Sequence, residues 1–349
     1  MKPLAFAVPG DLDTPTGGYA YDKRMIAELR KLGWDVEVLD LGNEFPHPSD
    51  ATRKHAEQTL AAVASETPVV IDGLAFGVLP DAAAVLSRTH RLIALVHHPL
   101  ALESGLTSAE ASALRLSERT ALAQARHVVT TTRTLVRTLT ADYDVPLAKL
   151  STAPPGSDKV APARGSGSDT LALLAVGAVA PRKGYDVLIA ALATLRELPW
   201  RLTIAGDRTR DAATAQQLDA HIARAGLTDR ITLVGAVPDE RLDALYDGAD
   251  LFVLPSRYEG YGMAFAAAIA RGLPVIGTDA GAIPEAVPAG AGILVPPDNV
   301  PALAAALHRL ITDGRERGRL AAAARIAAAQ LPTWEDSAVL FSRALEKAR

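Results

Sequence analysis

Hydrophobic and polar positions alternate along this chain in blocks that are typical of a parallel α/β protein. Continuous apolar runs such as residues 91–96 predict strands that are buried on both faces. Mixed runs predict amphipathic helices, and the first spans residues 17–32 with Met25, Ile26 and Leu29 on one side. Strand and helix patterns follow one another to the end of the chain. The pattern therefore predicts an α/β fold.

The alternation is interrupted by a segment over residues 156–169 that is rich in proline, glycine and serine. Such a composition is typical of an interdomain linker. Because 349 residues are too many for one ordinary core, we predict two doubly wound domains, residues 1–155 and residues 170–332. A last helix is predicted over residues 333–349. A hinge at the linker would leave a cleft between the domains.

Composition restricts the class of function. Hydrophobic residues make up 49% of the chain and charged residues 22%, with a net charge of -4 and a pI of about 6.1. This balance favours a small-molecule partner over nucleic acid. The chain has no cysteine, which excludes disulfides, thiolate metal sites and cysteine nucleophiles. Because no apolar signal segment or run of membrane-spanning length is present, we expect a cytoplasmic protein without stable membrane insertion.

The most informative stretch covers residues 254–279 and reads LPSRYEGYGMAFAAAIARGLPVIGTD. An apolar strand over residues 250–254 precedes a charged and aromatic turn, and a helix of small residues follows over residues 263–270. In a parallel sheet, ligands bind outside the carboxyl ends of the strands. Glu259, in the loop directly after a strand, is therefore the first functional candidate.

Further candidates follow strands in the first half of the chain. Gly17 and Gly18 open a helix, where free amides can approach a phosphate or a polar sugar, although a simple turn explains a glycine pair equally well. His97 and His98 end a buried strand and precede Glu103. The alternative is one histidine bonded to a loop carbonyl and one solvated. Zinc is disfavoured because no third ligand stands at a characteristic spacing.

Arg182 and Lys183 form the basic pair of the second half. They lie in a loop between a strand and a helix, where cations and helix amides together can bind a diphosphate. Two solvated charges at a helix start are an equally common explanation.

The motifs, in their order, resemble those of the retaining glycosyltransferases of the GT-B fold, in particular glycosyltransferase family 4. The pieces are the glycine pair, a histidine after the fourth strand, VGAVAPRKG, the long run LVGAVPDERLDALYDGADLFVLPSRYEGYGMAFAAAIARGLPVIGTDAGAIPE, and GILVPPD. The resemblance implies two Rossmann-like domains facing a central cleft. It also implies transfer of a sugar from a nucleoside-diphosphate sugar to an acceptor that the sequence does not identify.

The resemblance assigns the donor to the domain over residues 170–332. Glu259 is similar to the first acid of the family's paired-glutamate motif and is expected to hold hydroxyls of the donor sugar. The backbone amides near Tyr261, Gly262 and Met263 are expected to lie against sugar and phosphate. No bound cofactor is implied, since the nucleotide sugar is a substrate.

The same resemblance gives Lys183, assisted by Arg182, the task of neutralising the departing diphosphate. Loss of that group from an anomeric carbon requires fixed positive charge and a dry site more than a nucleophile. In such families the acceptor hydroxyl is thought to attack the face that the diphosphate leaves, so no metal is required. The sequence contains no Asp-x-Asp metal motif near these residues.

In the N-terminal domain, which holds the acceptor in this architecture, His97 is similar to the active-site histidine that touches the donor sugar, with His98 as the alternative. Glu103 is a possible sugar or acceptor contact. Gly17 and Gly18 are expected to bring the first helix to the reacting centre. The helix after residue 333 is similar to one that crosses back and completes this domain.

Two positions depart from the family pattern. The second glutamate of the motif falls at Ala267, and an arginine common after the glycine of the second domain's first strand falls at Ala178. A catalytically silent binding or scaffold protein on the same fold is therefore an alternative. A nicotinamide-dependent enzyme is disfavoured by the absence of G-x-G-x-x-G after the first strand. A sugar epimerase on the same fold is a further alternative.

Overall fold

The computed structural model describes residues 2–14 and 16–348. Within them the chain forms two compact units. Unit 1 contains the chain up to Gly156 together with the segment from Pro332 onward, and unit 2 is Ser157–Leu331.

Unit 1 is built on a parallel sheet of six strands in the order β2-β1-β3-β4-β5-β6. Its strands are β1 (Lys2–Val8), β2 (Trp34–Asp40), β3 (Pro68–Asp72), β4 (Arg91–Val96), β5 (His127–Thr130) and β6 (Leu150–Thr152). Its α-helices are α1 (Gly17–Lys31), α2 (Asp50–Ala61), α3 (Gly73–Phe76), α4 (Pro80–Leu86), α5 (Ser108–Gln124) and α6 (Arg133–Asp142), and the C-terminal helix α14 (Trp334–Lys347). Short 3-10 turns lie at Leu100–Leu102 and Leu147–Lys149.

The apolar runs of unit 1 are buried as the sequence pattern predicts. Strands β3 and β4 lie inside the sheet. Every residue of β3 is buried, and so is every residue of β4 after Arg91. Helix α14 packs against α1 and closes one face of the sheet. There the Phe341 ring stacks on Phe6, with centroids 6.3 Å apart, and Trp34 Nε1 donates a hydrogen bond of 3.0 Å to Ser342 Oγ.

The sequence pattern over residues 78–88 predicts one helix, and the structure differs there. In the structure the chain leaves β3 directly into α3, because Asp72 Oδ1 accepts a hydrogen bond of 2.7 Å from the Leu74 amide. The predicted helix is the shorter α4. A polar residue at the end of a strand thus serves as a helix N-cap, which apolar periodicity does not reveal.

Unit 2 also contains a parallel sheet of six strands, in the order β12-β11-β10-β7-β8-β9. Its strands are β7 (Leu171–Val176), β8 (Trp200–Ala205), β9 (Ile231–Gly235), β10 (Leu251–Val253), β11 (Val275–Thr278) and β12 (Gly292–Val295). Its α-helices are α7 (Tyr185–Ala193), α8 (Ala212–Arg224), α9 (Asp239–Asp247), α10 (Met263–Ala270), α11 (Ile283–Ala286), α12 (Val300–Thr312) and α13 (Gly314–Ala328). A 3-10 turn covers Pro181–Lys183.

Most of the segment that we interpret as a linker is attached to unit 2. The Arg164 guanidinium forms an ion pair with Asp247, and Ser166 donates from its backbone amide and its hydroxyl to Asp250, at 3.0 and 2.6 Å. The Gly165 amide donates to the Asp247 carbonyl. These bonds fasten the start of unit 2 to the loop before β10.

Both sheets place a topological switch point between two neighbouring strands. Counted from its own first strand, unit 2 has the strand order 3-2-1-4-5-6 of a doubly wound nucleotide-binding fold, with the switch between β7 and β10. In unit 1 the switch lies between β1 and β3. Ligands in such sheets bind at the carboxyl ends of the strands beside the switch. None of the described helices has the length and apolar character needed to cross a membrane.

Candidate functional site

The candidate site of unit 2 is a group of side chains around Glu259, here called the Glu259 cluster. Lys183 Nζ lies 2.6 Å from Glu259 Oε1, and Arg182 Nη1 lies 3.0 Å from Oε2. The Ser256 hydroxyl donates to Oε1 at 2.7 Å. Arg182 Nη1 also donates to the Tyr258 carbonyl at 2.8 Å. Three residues that the sequence singled out therefore meet in one cluster.

Two loops on either side of the switch point build this cluster. Lys183 follows β7, Glu259 follows β10, and these two strands pair in the sheet. The loops also touch through their backbones, since a Cβ at Gly184 would lie 2.2 Å from the Pro255 carbonyl oxygen. Gly184 has a positive φ of 67° and caps α7. A glycine at this position allows the approach that joins the basic pair to Glu259.

Glu259 is ionised although it is only 6% exposed. Burial opposes its charge, but Lys183 and then Arg182 outweigh that cost and lower its pKa to about 2. The Lys183 and Arg182 side chains are 13% and 21% exposed. One carboxylate therefore faces two cations. The Glu259 cluster carries an excess of one positive charge, which suits an anionic ligand.

Tyr261, Gly262 and Met263 lie at the start of α10, as the sequence indicates. Gly262 is the N-cap with a φ of 95°, and no side chain caps the helix. Burial, with Glu285 adding to it, raises the pKa of the Tyr261 hydroxyl to about 12. The amides of the first turn of α10 therefore begin directly after the loop that carries Glu259, and amides in this position attract anions.

The two positions that depart from the family pattern lie in the same unit. Ala178 belongs to the loop after β7, and Ala267 is half-buried in the middle of α10. The Ala267 carbonyl accepts a hydrogen bond of 3.1 Å from Arg271, which also forms an ion pair with Asp243. Neither alanine supplies a charged group.

The candidate site of unit 1 is a group around His97, here called the His97 cluster. His97 Nε2 lies 2.9 Å from Asp22 Oδ1 and 3.4 Å from Asp72 Oδ2. Asp22 is fully buried and Asp72 is 5% exposed. The Tyr21 ring meets the imidazole edge to face, with centroids 5.0 Å apart.

Three elements around the switch point of unit 1 supply the His97 cluster. Asp22 lies in the second turn of α1, Asp72 ends β3, and His97 directly follows β4. Gly18 opens α1 beside the ring, since a Cβ there would lie 3.5 Å from His97 Cδ2. Gly17 precedes it as the first residue of α1. Gly18 and His97, which the sequence singles out, thus lie side by side, together with two acids that it does not single out.

The protonation of the His97 cluster follows from its burial and charge. Burial lowers the pKa of His97, but Asp22 and Asp72 outweigh it and raise the pKa to about 10. Burial raises the pKa of Asp22 to about 7, with Asp72 adding to the rise and His97 opposing it. Two acids share one cationic ring, so the cluster has an excess of negative charge once both acids are ionised.

His98 and Glu103 form a separate contact. His98 Nε2 lies 3.9 Å from Glu103 Oε2, and the Glu103 side chain is 49% exposed. The loop that carries them is held by buried Glu118, which accepts a hydrogen bond of 3.0 Å from the Leu100 amide. His98 therefore does not belong to the His97 cluster.

Asp22 and Asp72 had a weak signal in the sequence. Asp22 stands in the same helical row as Met25, Ile26 and Leu29, where an acid interrupts an apolar face. Asp72 ends an apolar strand, as His97 does. Within the described ranges, Asp22, Asp72 and His97 also form a group whose ligand atoms lie within 4.8 Å of one another, close enough to bind a metal ion. Local spacing in the sequence did not reveal this group, because its members come from three separate elements.

Comparison with known proteins identifies a family to which part of this chain is similar. The family model described as "Glycosyl transferases group 1" matches residues 158–327, which is nearly all of unit 2. The match lies in unit 2, which is similar to this family along nearly its whole length. The resemblance to glycosyltransferases drawn from the sequence is confirmed.

Curated relatives include the lipopolysaccharide core biosynthesis mannosyltransferase LpsB of Rhizobium meliloti, 37% identical over 158 residues, 42% of each chain. The MMP alpha-(1->4)-mannosyltransferase of Mycolicibacterium hassiacum is 28% identical over 321 residues, 87% of this chain and 76% of the relative. The match to mannosylfructose-phosphate synthase of Agrobacterium fabrum covers 47% of this chain and 40% of the relative. For LpsB and the synthase, the match therefore spans less than half of the relative's length.

Solved structures share the fold. Sucrose-phosphate synthase of Thermosynechococcus elongatus superposes with a TM-score of 0.85 at 22% identity, over 98% of both chains. Anabaena HepE, solved in complex with UDP and glucose, superposes with a TM-score of 0.76 at 20% identity, over 98% of this chain and 99% of that one. The predicted α/β architecture of the GT-B type is confirmed.

Proposed function

We propose that this protein is a glycosyltransferase that moves a sugar from a nucleoside-diphosphate sugar to an acceptor, with retention of configuration and without a metal ion. The observation that carries the proposal is the meeting of Lys183, Arg182 and Glu259 at the switch point of a group 1 domain. Unit 2 is the donor side and unit 1 the acceptor side.

The charges of the Glu259 cluster fit the proposed chemistry. A departing nucleoside diphosphate gains negative charge, and two fixed cations stabilise it without rearranging solvent. Glu259 serves in two ways. It keeps the cations in place, and its oxygens accept hydrogen bonds from hydroxyls of the donor sugar. The amides at the start of α10 contribute further positive potential to sugar and phosphate.

One assay tests the identity of the donor, the anomeric configuration of the product and the need for a metal ion. Purified protein is incubated with UDP-, GDP-, ADP- and dTDP-sugars, with and without EDTA, and release of nucleoside diphosphate is followed. We expect release with at least one donor, unchanged by EDTA. NMR of the product then gives its anomeric configuration, and inversion would contradict the retaining mechanism. No release, together with no binding of any nucleoside diphosphate, would contradict the whole proposal.

Two variants make this assay specific. Lys183→Gln removes a cation of the Glu259 cluster and should abolish most of the release. Arg309→Gln is the matched control, because it also removes one positive charge from unit 2 but breaks only an exposed pair with Glu316. Release that falls equally in both variants would show a general charge effect instead of a donor site.

A second candidate is a catalytically silent protein that binds nucleotide sugars or serves as a scaffold on the same fold. It is supported by Ala178 and Ala267, which leave out charged groups of the family pattern. The variant Ala267→Glu separates the two. If wild type neither binds nor turns over a nucleotide sugar and the variant gains nucleotide binding, the silent function is favoured.

The acceptor is the least defined part of the proposal. The relatives named above include mannosyltransferases, so GDP-mannose is a natural first donor, with acceptors drawn from sugars, sugar phosphates and lipids. The loops of unit 1 after β2 and β4 are the places to vary for acceptor choice. The cytoplasmic location expected from composition stays a prediction.

A further inference from the structure

The His97 ring is held from one side. Its Nε2 is the only ring atom with hydrogen-bond contacts among the described residues, and it faces Asp22 Oδ1 at 2.9 Å and Asp72 Oδ2 at 3.4 Å. Both acceptors are carboxylate oxygens, so the N–H of Nε2 is the donor to both. This arrangement requires a proton on Nε2.

The other nitrogen is left for a ligand. Nδ1 makes no hydrogen bond within residues 2–14 and 16–348, and the ring is 18% exposed. Gly18 has no side chain to cover the ring, and the Tyr21 hydroxyl is directed elsewhere, to the Ala153 carbonyl at 2.9 Å. The ring is therefore oriented by buried acids on one edge and accessible on another.

The charged groups near the ring favour its cationic form. From α1 it faces Asp22 and the uncharged Tyr21, and from the end of β3 it faces Asp72. On its own loop the neighbouring His98 contacts Glu103. The structure shows no Lys or Arg bonded to Asp22 or Asp72 in the described part of the chain. The imidazolium is the cation of this cluster, in agreement with a His97 pKa raised to about 10 despite burial.

We propose that Asp22 and Asp72 are positioning residues that hold His97 as a cation with Nε2 inward, so that Nδ1–H is offered to the substrate as a hydrogen-bond donor. The role of His97 toward the substrate rests on the function proposed above, whereas the orientation and charge of the ring do not. His97 in this state cannot accept a proton. Its partner is an oxygen of a sugar hydroxyl.

Imidazole NMR tests the charge and orientation without any turnover. The protein is labelled with 15N-histidine, and the His97 signals are assigned among the 8 histidines by their loss in His97→Gln. We expect both ring nitrogens to be protonated at pH 8 in wild type. In Asp22→Asn and Asp72→Asn, which keep an acceptor oxygen but lose the charge, the titration midpoint should fall by about 1–3 pH units.

Glu28→Gln is the matched control. Glu28 is a 6% exposed acid on the same helix as Asp22, but it pairs with Arg24 and Lys31. This variant should leave the His97 titration unchanged. A neutral His97 in wild type at pH 8, or a titration that shifts equally in Glu28→Gln, would overturn the proposal.

Two further measurements complete the test. With an active donor, the alkaline limb of the kcat/KM profile should move to lower pH in Asp22→Asn and Asp72→Asn, and stay in place in Glu28→Gln. An unmoved limb would overturn the role toward substrate even if the NMR result holds. Titration with Zn²⁺ and Mn²⁺ examines the same three side chains as metal ligands. Stoichiometric binding at micromolar metal that deprotonates Nε2 would replace the positioning role with a metal site.

Discussion

The Glu259 cluster of unit 2 and the His97 cluster of unit 1 each combine three ionisable side chains at a switch point, but with opposite excess charge. Glu259 faces the two cations Lys183 and Arg182, whereas His97 faces the two acids Asp22 and Asp72. The first arrangement leaves positive potential for a diphosphate. The second leaves no positive charge beyond the ring itself, so it suits an uncharged hydroxyl that needs a single oriented donor. The same position in the two sheets thus carries opposite charge, and we expect it to suit two kinds of ligand.

The largest expected effect separates the clusters by their ligands. Lys183→Gln removes a cation that we propose to stabilise the leaving diphosphate, and we expect turnover to fall by about 10²–10³. Calorimetry should also show weaker binding of the nucleoside diphosphate. Asp22→Asn should leave that binding unchanged, because the proposed function assigns the diphosphate to unit 2. Equal losses of affinity in both variants would contradict the division between the units.

The second prediction concerns the contribution of the Glu259 cluster to stability. Glu259→Gln leaves Lys183 and Arg182 without their buried counter-charge, so the free energy of unfolding should fall by about 3 kcal/mol in urea titrations at pH 7. The pKa of Glu259 is lowered to about 2. Its contribution to the free energy of unfolding is therefore complete above about pH 4.5 and is lost as pH falls toward 2. The difference between wild type and Glu259→Gln should therefore shrink on acidification. A constant difference would rule out the ion pairs as its source.

The third prediction compares the glycines that begin α10 and α1. Gly262 has a φ of 95°, and a Cβ there would lie 2.9 Å from Phe265 Cδ2, so Gly262→Ala should cost about 1–3 kcal/mol. A Cβ at Gly18 makes only an ordinary contact of 3.5 Å with His97. Gly18→Ala should therefore change the unfolding free energy by less than about 1 kcal/mol. Thermal unfolding of both variants provides the measurement, and the reverse order would contradict the geometry.

The smallest effect concerns Asp22. Its pKa is raised from the ordinary 3.8 to about 7, so the folded protein keeps a proton that the unfolded chain has released. The Asp22 contribution to stability therefore falls as pH rises from about 4 to about 7, a slope opposite to that of Glu259. Asp22→Asn should remove this slope and cost about 1 kcal/mol or less at pH 6. Unfolding curves at several pH values between 4 and 7 check it, and parallel curves would contradict the raised pKa.

The sequence singles out three charged members of the Glu259 cluster but only one ionisable member of the His97 cluster. Lys183 and Glu259 each stand in the loop that follows an apolar strand, and charged residues in such a loop are conspicuous after the hydrophobic run. In unit 1 the same signal identified His97 but not Asp72, which looked like the polar end of a strand. Asp22 lies inside a helix, where a single acid among apolar positions looks like part of an amphipathic pattern.

The sequence by itself determined the alternation of strands and helices, the two-part organisation and the chemical types at the strand ends, because these depend on residues close together in the chain. Only the tertiary structure decided which strand ends become neighbours. Asp22 and His97 stand 75 positions apart, and they meet because the strand order puts β1, β3 and β4 side by side. The excess charge of each cluster follows from that order, since the charge around a buried group depends on every element packed against it.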